Sequence, residues 1–583
     1  MKPKSRKMNT EESFLNKKKT FQAILTVIFA CFSLRLGFCQ EPYFRSPLDI
    51  PLQAAAYFGD VRSNHFHSGL DLRTQQTEGK NIYAVADGFV SRIRISAYGF
   101  GYALYLDHPD GHTSVYGHMQ RYSERIAAFA IKKQTEKETF ELDIKLNPGD
   151  LPVKKGEIIG LSGNSGSSEG PHLHFELRNT KTEEILNPMT LGIQFPDHKA
   201  PVIKRLFIYK KDGYEAWHSK QTLPVAGSGT KYYCTSPMPL RIEGRFGIGI
   251  QSEDWDDVSG GPEGFYSLEM QLDGKTVFKQ ELDQFSFSET RYVNSSIDYE
   301  QKIATGKVSQ FCFLQPGNQM TIFKEKKNAG ILDFPDSSLH IIRIEVKDFF
   351  GNSSAIQLFI QGTLPRPIKP KQATNYTRLF PFGVANHFEN DAVKVDIPAG
   401  YLYDTLAFQY SRRPGTDRML SDVHAIHNRK TPVHGYYELS IKADIPTRLQ
   451  SKACVVNVND NLVAIYEGGT YKDGAVTVST KTFGNFAVML DTVSPRVNPL
   501  NIKAGRRIAS GTNLRFGMTD NLSGIKTYRG TLDGKWILLV HEGKNNTLSF
   551  SVPSGIARGK HAFQIELTDR CGNTSVYTTS LLF

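Results

Sequence analysis

Gly163-Asn-Ser-Gly-Ser-Ser-Glu-Gly-Pro171-His172-Leu173-His174-Phe175-Glu176 is the stretch on which the reading of this chain turns. Small residues and a proline give way to strict alternation of histidine with apolar residues. On a strand, His172 and His174 project from one face, roughly 6.6 Å apart along the chain, and Leu173 and Phe175 point to the opposite, buried face. The Gly- and Ser-rich run before them is a tight loop, poor in side chains, where a peptide can approach the backbone. Zinc favours histidine nitrogen and carboxylate oxygen in a tetrahedral set, and a catalytic zinc keeps one position for water. The two-residue spacing therefore lets one imidazole bind a metal while the other stands beside it.

Working outward, a second cluster reads Asn64-His65-Phe66-His67-Ser68-Gly69-Leu70-Asp71, and Tyr116-Gly117-His118-Met119 lies between the two. His67 and Asp71 offer one nitrogen and one oxygen. Short alternating runs at 82–85, 88–95, 103–107, 114–116, 157–160 and 172–177 are separated by turns, so 46–195 reads as one β unit. His-Pro-Asp-Gly-His at 108–112 is a hairpin turn. Ser123–Ala130 is expected to form a short helix, and Lys132–Asp150 reads as a charged excursion. His65 is an alternative ligand to His67, and His108 and His112 are structural or exposed. Glu176 either orients a ligand histidine or is a carboxylate bonded to backbone. Asn64 and Arg178 are undecided between site and scaffold.

His-x-Gly-x-Asp at 67–71, Tyr-x-His at 116–118 and Gly-Pro-His-Leu-His-Phe-Glu at 170–176 resemble, in that order, the lysostaphin-like family of zinc endopeptidases. The Tyr98-Gly-Phe-Gly101 turn and the Asp110-Gly111 hairpin belong to the same resemblance. It implies an antiparallel β-sheet crossed by a substrate groove, with one zinc ion held by His67, Asp71 and His174; its register selects His67 and implies that His65 faces away. His118 and His172 match the two further histidines that bind or activate the water. The implied substrates are the peptide stems or bridges of bacterial peptidoglycan. Some relatives place a tyrosine shortly before the first ligand to stabilise the oxyanion. Here Val61-Arg62-Ser63-Asn64 has none, so Arg62 and Asn64 are the candidate substitutes. Specificity is expected from loops around the groove, chiefly 122–150.

The remainder divides by an internal repeat. Asp197-His-Lys-Ala-Pro201 recurs as Asp491-Thr-Val-Ser-Pro495, and Asp256-Asp-Val-Ser-Gly260 as Asp520-Asn-Leu-Ser-Gly524. Leu272-Asp-Gly-Lys275 recurs as Leu532-Asp-Gly-Lys535, and Asp348-Phe-Phe-Gly-Asn352 as Asp569-Arg-Cys-Gly-Asn573. The last two signatures are 75 residues apart in the first copy and 36 in the second, so the first carries an insertion of about 39 residues. Many short strands suggest immunoglobulin-like β-sandwiches. The acidic pieces read as turns rather than calcium sites, because their carboxylates are too sparse for 6–8 oxygen ligands. A third region, about 372–490, reads as another sandwich after the stiff linker Leu364–Lys371. The whole chain is thus expected to be all-β, an antiparallel metallopeptidase sheet followed by two or three immunoglobulin-like β-sandwiches. The expected segments are 1–39, 40–196, 197–365, 366–490 and 491–583.

Length and composition agree: 583 residues exceed one core, and 39 % hydrophobic with 22 % charged residues fits a folded soluble protein. Residues 1–39 read as an export signal, with Lys17, Lys18 and Lys19 before an apolar stretch and Gly37 and Cys39 near the expected cut. An uncleaved anchor, or lipid attachment at Cys31 or Cys39, is the alternative. That segment holds eight basic and two acidic residues, so its removal takes six from the formal +11 and leaves +5. No basic run is interleaved with aromatics, so nucleic acid is not an expected partner. Periplasm or cell envelope is the expected location, with peptidoglycan as partner and envelope proteins as possible partners of the sandwiches. Of the four remaining cysteines, Cys234 and Cys312 either pair in an oxidising compartment or all four stay free. The competing functional reading is a catalytically silent wall-binding or hydrolase-activating protein of the same fold.

Overall fold

Alternating sequence becomes strand wherever one face finds something to cover it, and the computed structural model is accordingly nearly all β. It describes residues 42–210, 219–257, 263–363, 376–502 and 506–583. The expected export signal at 1–39 and the expected linker at 364–371 lie outside the described residues. Chain contacts separate Met1–Phe44 from Arg45–Phe583, and every described strand belongs to the longer unit. Among the described residues no helix is long and apolar enough to cross a membrane.

The first sheet is built from β1 (Ala54–Ala56), β2 (Leu70–Arg73), β3 (Asn81–Tyr83), β4 (Gly88–Ile95), β5 (Tyr102–Asp107), β6 (His112–Tyr122), β7 (Leu142–Lys145), β8 (Pro152–Val153), β9 (Ile158–Ser162), β10 (His172–Asn179) and β11 (Ile185–Leu186). Its order is β1-β2-β10-β6-β5-β4-β7, with β9 on β6, β3 on β9, β8 on β4 and β11 on β10. The central strand β10 has antiparallel neighbours on both sides, which place His174 opposite Asp71 of β2 and Gly117 of β6. Leu173 and Phe175 are fully buried on the far face, as the alternation requires. At 108–112 the chain turns through a hairpin closed by His108 N–H donating to His112 O at 2.9 Å.

The segment after β6 departs from expectation. Helix α1 runs Glu124–Lys137, because Ile126, Ala130 and Gln134, spaced by four, bury one face while the charged residues between them meet water. Glu138, in the left-handed conformation, ends it. The stretch read as a charged excursion thus supplies half a helix and then β7, which pairs with β4 at the outer edge of the sheet.

Beyond residue 200 the repeat is visible as equivalent hydrogen bonds. Asp348 accepts from Asn352 N–H at 2.9 Å, and Asp569 from Asn573 N–H at 2.8 Å. Asp273 accepts from Ile341 N–H and Asp533 from Ala562 N–H, both at 2.8 Å. Each copy closes on two long antiparallel strands, Leu339–Lys347 with Ser353–Gly362 and Lys560–Asp569 with Thr574–Leu582, and only in the first does the insertion lie between the strand after the Asp-Gly hairpin and that pair. One sequence equivalence needs correcting. Strand register pairs Val202 with Glu253 and Arg496 with Thr519, so Asp254, not Asp256, is the counterpart of Asp520. From that aspartate to the Asp-Gly hairpin the first copy has 19 residues and the second 13, and the extra length shifts the Ser-Gly motif by two. The region between the copies forms two five-stranded sheets that share a core of Val395, Leu439, Val478, Val455 and Phe486. Cys234, Cys312, Cys454 and Cys571 are all free thiols, so the Cys234–Cys312 pair is not formed.

Candidate metal centre

His67, Asp71 and His174 meet because the sheet brings them together. Asp71 and His174 are cross-strand partners on β2 and β10, and His67 ends the turn that leads into β2. Gly69 between them allows the approach: a Cβ there would stand 2.3 Å from Phe175 O. The three ligand atoms form a tight triangle. His67 Nε2 lies 3.0 Å from Asp71 Oδ1, His174 Nδ1 lies 2.9 Å from the same oxygen, and the two ring nitrogens are 3.1 Å apart.

The opposite nitrogens of both rings are committed. His67 Nδ1–H donates to Tyr57 O at 2.7 Å. His174 Nε2–H donates to Glu176 Oε1 at 2.9 Å. Because a carbonyl and a carboxylate only accept, His67 Nε2 and His174 Nδ1 of the neutral rings face each other as lone pairs. Ligand atoms arranged tetrahedrally at zinc bond lengths of about 2.0–2.1 Å stand roughly 3.3 Å apart, so the triangle fits zinc with little adjustment. The electrostatics agree. Burial alone would raise the Asp71 carboxyl, yet the surrounding imidazoles hold it well below the usual carboxylate range. Burial pulls His174 down, but hydrogen bonds to Asp71 and Glu176 lift it to about 9, so without a cation Nδ1 carries a proton towards Asp71, and a cation held there would take that proton's place and meet the lone pair. The centre is poised to hold positive charge.

Glu176 is the first feature the sequence left open and the structure decides. It is fully buried. Besides His174, it is bonded by Ser68 Oγ–H and by Arg178, whose Nε–H lies 2.7 Å from Oε2. Burial opposes its ionisation, but the Arg178 charge, with the His174 and Ser68 bonds, holds it at about 2. Arg178 thereby belongs to the site as well. Ser68 was not singled out by sequence reasoning, although it sits inside the His-x-Gly-x-Asp motif.

His118 and His172 stand beside the triangle with ring centroids 4.8 Å apart. His172 Nδ1–H donates to Gly170 O at 2.9 Å, and its Nε2 lies 3.3 Å from Asp71 Oδ1 without an aligned hydrogen bond. His118 occupies a bulge in β6 with φ +57°, which turns its ring out of the strand's alternation. Its Nδ1–H donates to Ser165 O at 2.9 Å. Burial, then the neighbouring His174 and His172, push its pKa down to about 3.

All five residues line a groove of about 1310 Å³. Arg62 is on its rim, with Nη2 3.3 Å from Asp71 Oδ2. Asn64 does not line it; its Oδ1 accepts from Asn294 Nδ2–H at 3.0 Å. His65 faces the groove but stays outside the ligand triangle, its Nδ1 bonded to Ser63 O. His108 is buried, bonded to Asp87 O and Ser114, and His112 pairs with Asp110. No residue of 122–150 lines the groove: that segment lies towards the other edge of the sheet, so it does not shape this wall. Phe100, from the Tyr98–Gly101 turn, does; its ring stacks on His174 at 4.7 Å.

Compared with known proteins, residues 65–134 and 142–188 match peptidase family M23, and residues 377–491 match the Zu5-like domain. The chain carries an M23 peptidase domain. An uncharacterized metalloprotease of Haemophilus influenzae is 32 % identical over 166 residues, 28 % of each chain. The peptidoglycan DD-endopeptidase ShyC of Vibrio cholerae is 26 % identical over 194 residues, 31 % of this chain and 38 % of that one. The catalytic domain of the prophage-encoded M23 protein EnpA of Enterococcus faecalis is 29 % identical, covering 26 % of this chain and 96 % of that one, with a TM-score of 0.19. The match thus spans only 28 % and 38 % of the two curated relatives.

Proposed function

We propose that this chain is an exported zinc endopeptidase that hydrolyses peptide stems or cross-links of peptidoglycan in the periplasm or cell envelope. The observation that carries the proposal is the triangle of His67 Nε2, Asp71 Oδ1 and His174 Nδ1, all within 3.1 Å, opening onto a groove beside two further imidazoles. The peptidoglycan DD-endopeptidase relative supports the substrate class.

His67, Asp71 and His174 would hold the zinc ion, which when bound supplies a Lewis acid and water acidified to a pKa of about 7. The chain's own groups do the rest. His172 accepts a proton at Nε2, the one nitrogen its bond to Gly170 leaves free. Asp71, 3.3 Å away, steadies the imidazolium. The same ring then gives the proton to the leaving amine. His118, kept neutral by its surroundings, presents a second acceptor across the groove. Arg62 is the group in reach of a carbonyl oxygen that develops negative charge; Asn64, turned to Asn294, is not.

Mass spectrometry of fragments released from purified sacculi tests this, with His174→Ala as control. Stem-peptide fragments from the wild type, absent with His174→Ala, are expected. Bound zinc without any released fragment would favour the silent wall-binding alternative.

A further inference from the structure

Phe66 precedes the first ligand, and its buried amide has no partner in its own turn. The turn closes on itself with Gly59 N–H donating to His67 O at 2.9 Å and His67 N–H donating to Asp60 O at 2.8 Å. Phe66 N–H instead donates to Thr290 Oγ1 at 2.7 Å, a residue 224 positions away in the insertion of the first repeat copy.

That contact is one of a set. Gly264 N–H donates to Asp60 Oδ1 at 2.8 Å. Asn294 Nδ2–H donates to Asn64 Oδ1 at 3.0 Å. Lys302 Nζ donates to Arg62 O. Beneath the turn, Phe285 is 1 % exposed and stacks on Phe58 at 4.7 Å. Gly59, at φ +85°, leaves room for Leu282, whose Cδ1 would otherwise stand 2.6 Å from a Cβ. The strand Gln284–Phe285 pairs with β11, so the insertion is part of the peptidase sheet itself.

The second ligand is supported from the same place. His174 leans on Glu176, Glu176 on Arg178, and the Arg178 guanidinium lies 4.7 Å over the Phe287 ring. Both imidazoles therefore reach the 282–302 segment, one through the Phe66 amide and one through the Glu176–Arg178 pair. The segment donates nothing to the groove, so its effect acts through the ligands it braces.

Resting on the metal-centre reading, we infer that the 282–302 insertion is a positioning element of the zinc site, with Thr290 its principal contact. The His67 ring is bonded inside the turn, to Tyr57 O, and the insertion supplies the bonds and packing that hold the turn itself, through Thr290 on Phe66, Asn294 on Asn64 and Phe285 beneath Phe58. The peptidase unit is complete only with this piece of the following module.

The test uses the full chain. Thr290→Val removes the acceptor while keeping the shape, and Thr290→Ser restores it. Competition with a chromophoric chelator gives zinc affinity, and the cobalt-substituted absorption spectrum reports ligand geometry. Thr290→Val is expected to weaken zinc binding about tenfold, within the range for groups behind a ligand, and to shift the cobalt spectrum. Thr290→Ser is expected to return both to wild type. Lys302→Met, at a more exposed site that spares folding, is expected to move both in the same direction by a smaller factor, and it decides the matter if Thr290→Val does not fold. Wild-type affinity and spectrum in Thr290→Val, or in Lys302→Met where that variant decides, overturn the inference. A wild-type chain that binds no zinc would instead overturn the metal-centre reading on which it rests.

Discussion

His174 donates its Nε2–H to Glu176 Oε1 at 2.9 Å, two residues along the same strand face, in a place where Glu176 is wholly buried. The bond fixes which nitrogen of His174 turns to His67 and Asp71, and Arg178 and Ser68 keep the carboxylate ionised. Glu176→Gln keeps the shape but removes the charge facing Arg178. Zinc affinity is expected to fall by about 10- to 100-fold, and the fold to lose about 3–5 kcal/mol because the Arg178 charge is left buried without its partner. Chelator competition and denaturant melts measure the two. An unchanged zinc affinity would show that Glu176 serves packing alone.

His118 and His172 face the groove without belonging to the ligand triangle, so binding and turnover should separate. With its pKa pushed down to about 3, His118 stays neutral from pH 5 to 8 and contributes no titration there. His118→Ala is expected to lower kcat by about 10²- to 10⁴-fold while zinc affinity stays within about twofold of wild type and the pH profile keeps its shape. Loss of zinc in this variant would place His118 among the ligands instead.

The site was legible in the sequence because its chemistry is local. His-x-Gly-x-Asp and His-x-His each fit on a short element, and strand alternation says which side chains share a face. His118 was found by motif alone, since the bulge that turns it into the groove leaves no pattern. Asn64 misled because adjacency in sequence says nothing of a contact 230 residues away. The 122–150 segment misled in the other direction: its charges suggested a loop, but three residues four apart suffice to seat a helix. Thr290 and Phe285 carry no signal of the site, being ordinary residues whose role exists only through tertiary contact. The acidic pieces are turns, but the sequence spacing that makes their carboxylates look too sparse for a cation is deceptive, because they converge. Asp197, Asp254 and Asp348 have oxygens within 4.8 Å of one another, as do Asp491, Asp520 and Asp569.

That convergence has a pH signature. Burial first, then the Asp348 and Asp197 charges, push the Asp254 carboxyl up to about 8, and burial raises Asp197 to about 6. An acid raised in the folded state holds a proton the unfolded chain has released. Its contribution is full below the unfolded value of about 3.9 and is lost as pH rises towards 8. Asp254→Asn imitates the protonated acid. In chelator-treated protein it is expected to be neutral at pH 4.5 and to raise Tm by several degrees at pH 8.5, at about 2–4 °C per kcal/mol for a domain of this size. Equal Tm changes at both pH values would remove the explanation.

The last module touches the groove's other wall. Lys544 Nζ donates to Asn164 Oδ1 at 2.8 Å, and Tyr98 packs edge-on against His541 at 5.9 Å. Arg529 pairs with Glu138 at 2.6 Å. Asn164 and Tyr98 flank Ser167, Gly99 and Phe100, which line the groove, so this contact sets where the wall stands and not what the metal binds. Both polar contacts are exposed, and an exposed ion pair or hydrogen bond of this kind is worth about 1 kcal/mol. Lys544→Ala is therefore expected to raise KM for sacculus fragments by less than about tenfold, leaving kcat and zinc affinity near wild type, and Arg529→Ala, whose partner Glu138 lies off the groove, is expected to leave all three unchanged. Loss concentrated in kcat would mean that the contact reaches the ligands themselves, and the division of labour between the two flanking modules would have to be redrawn.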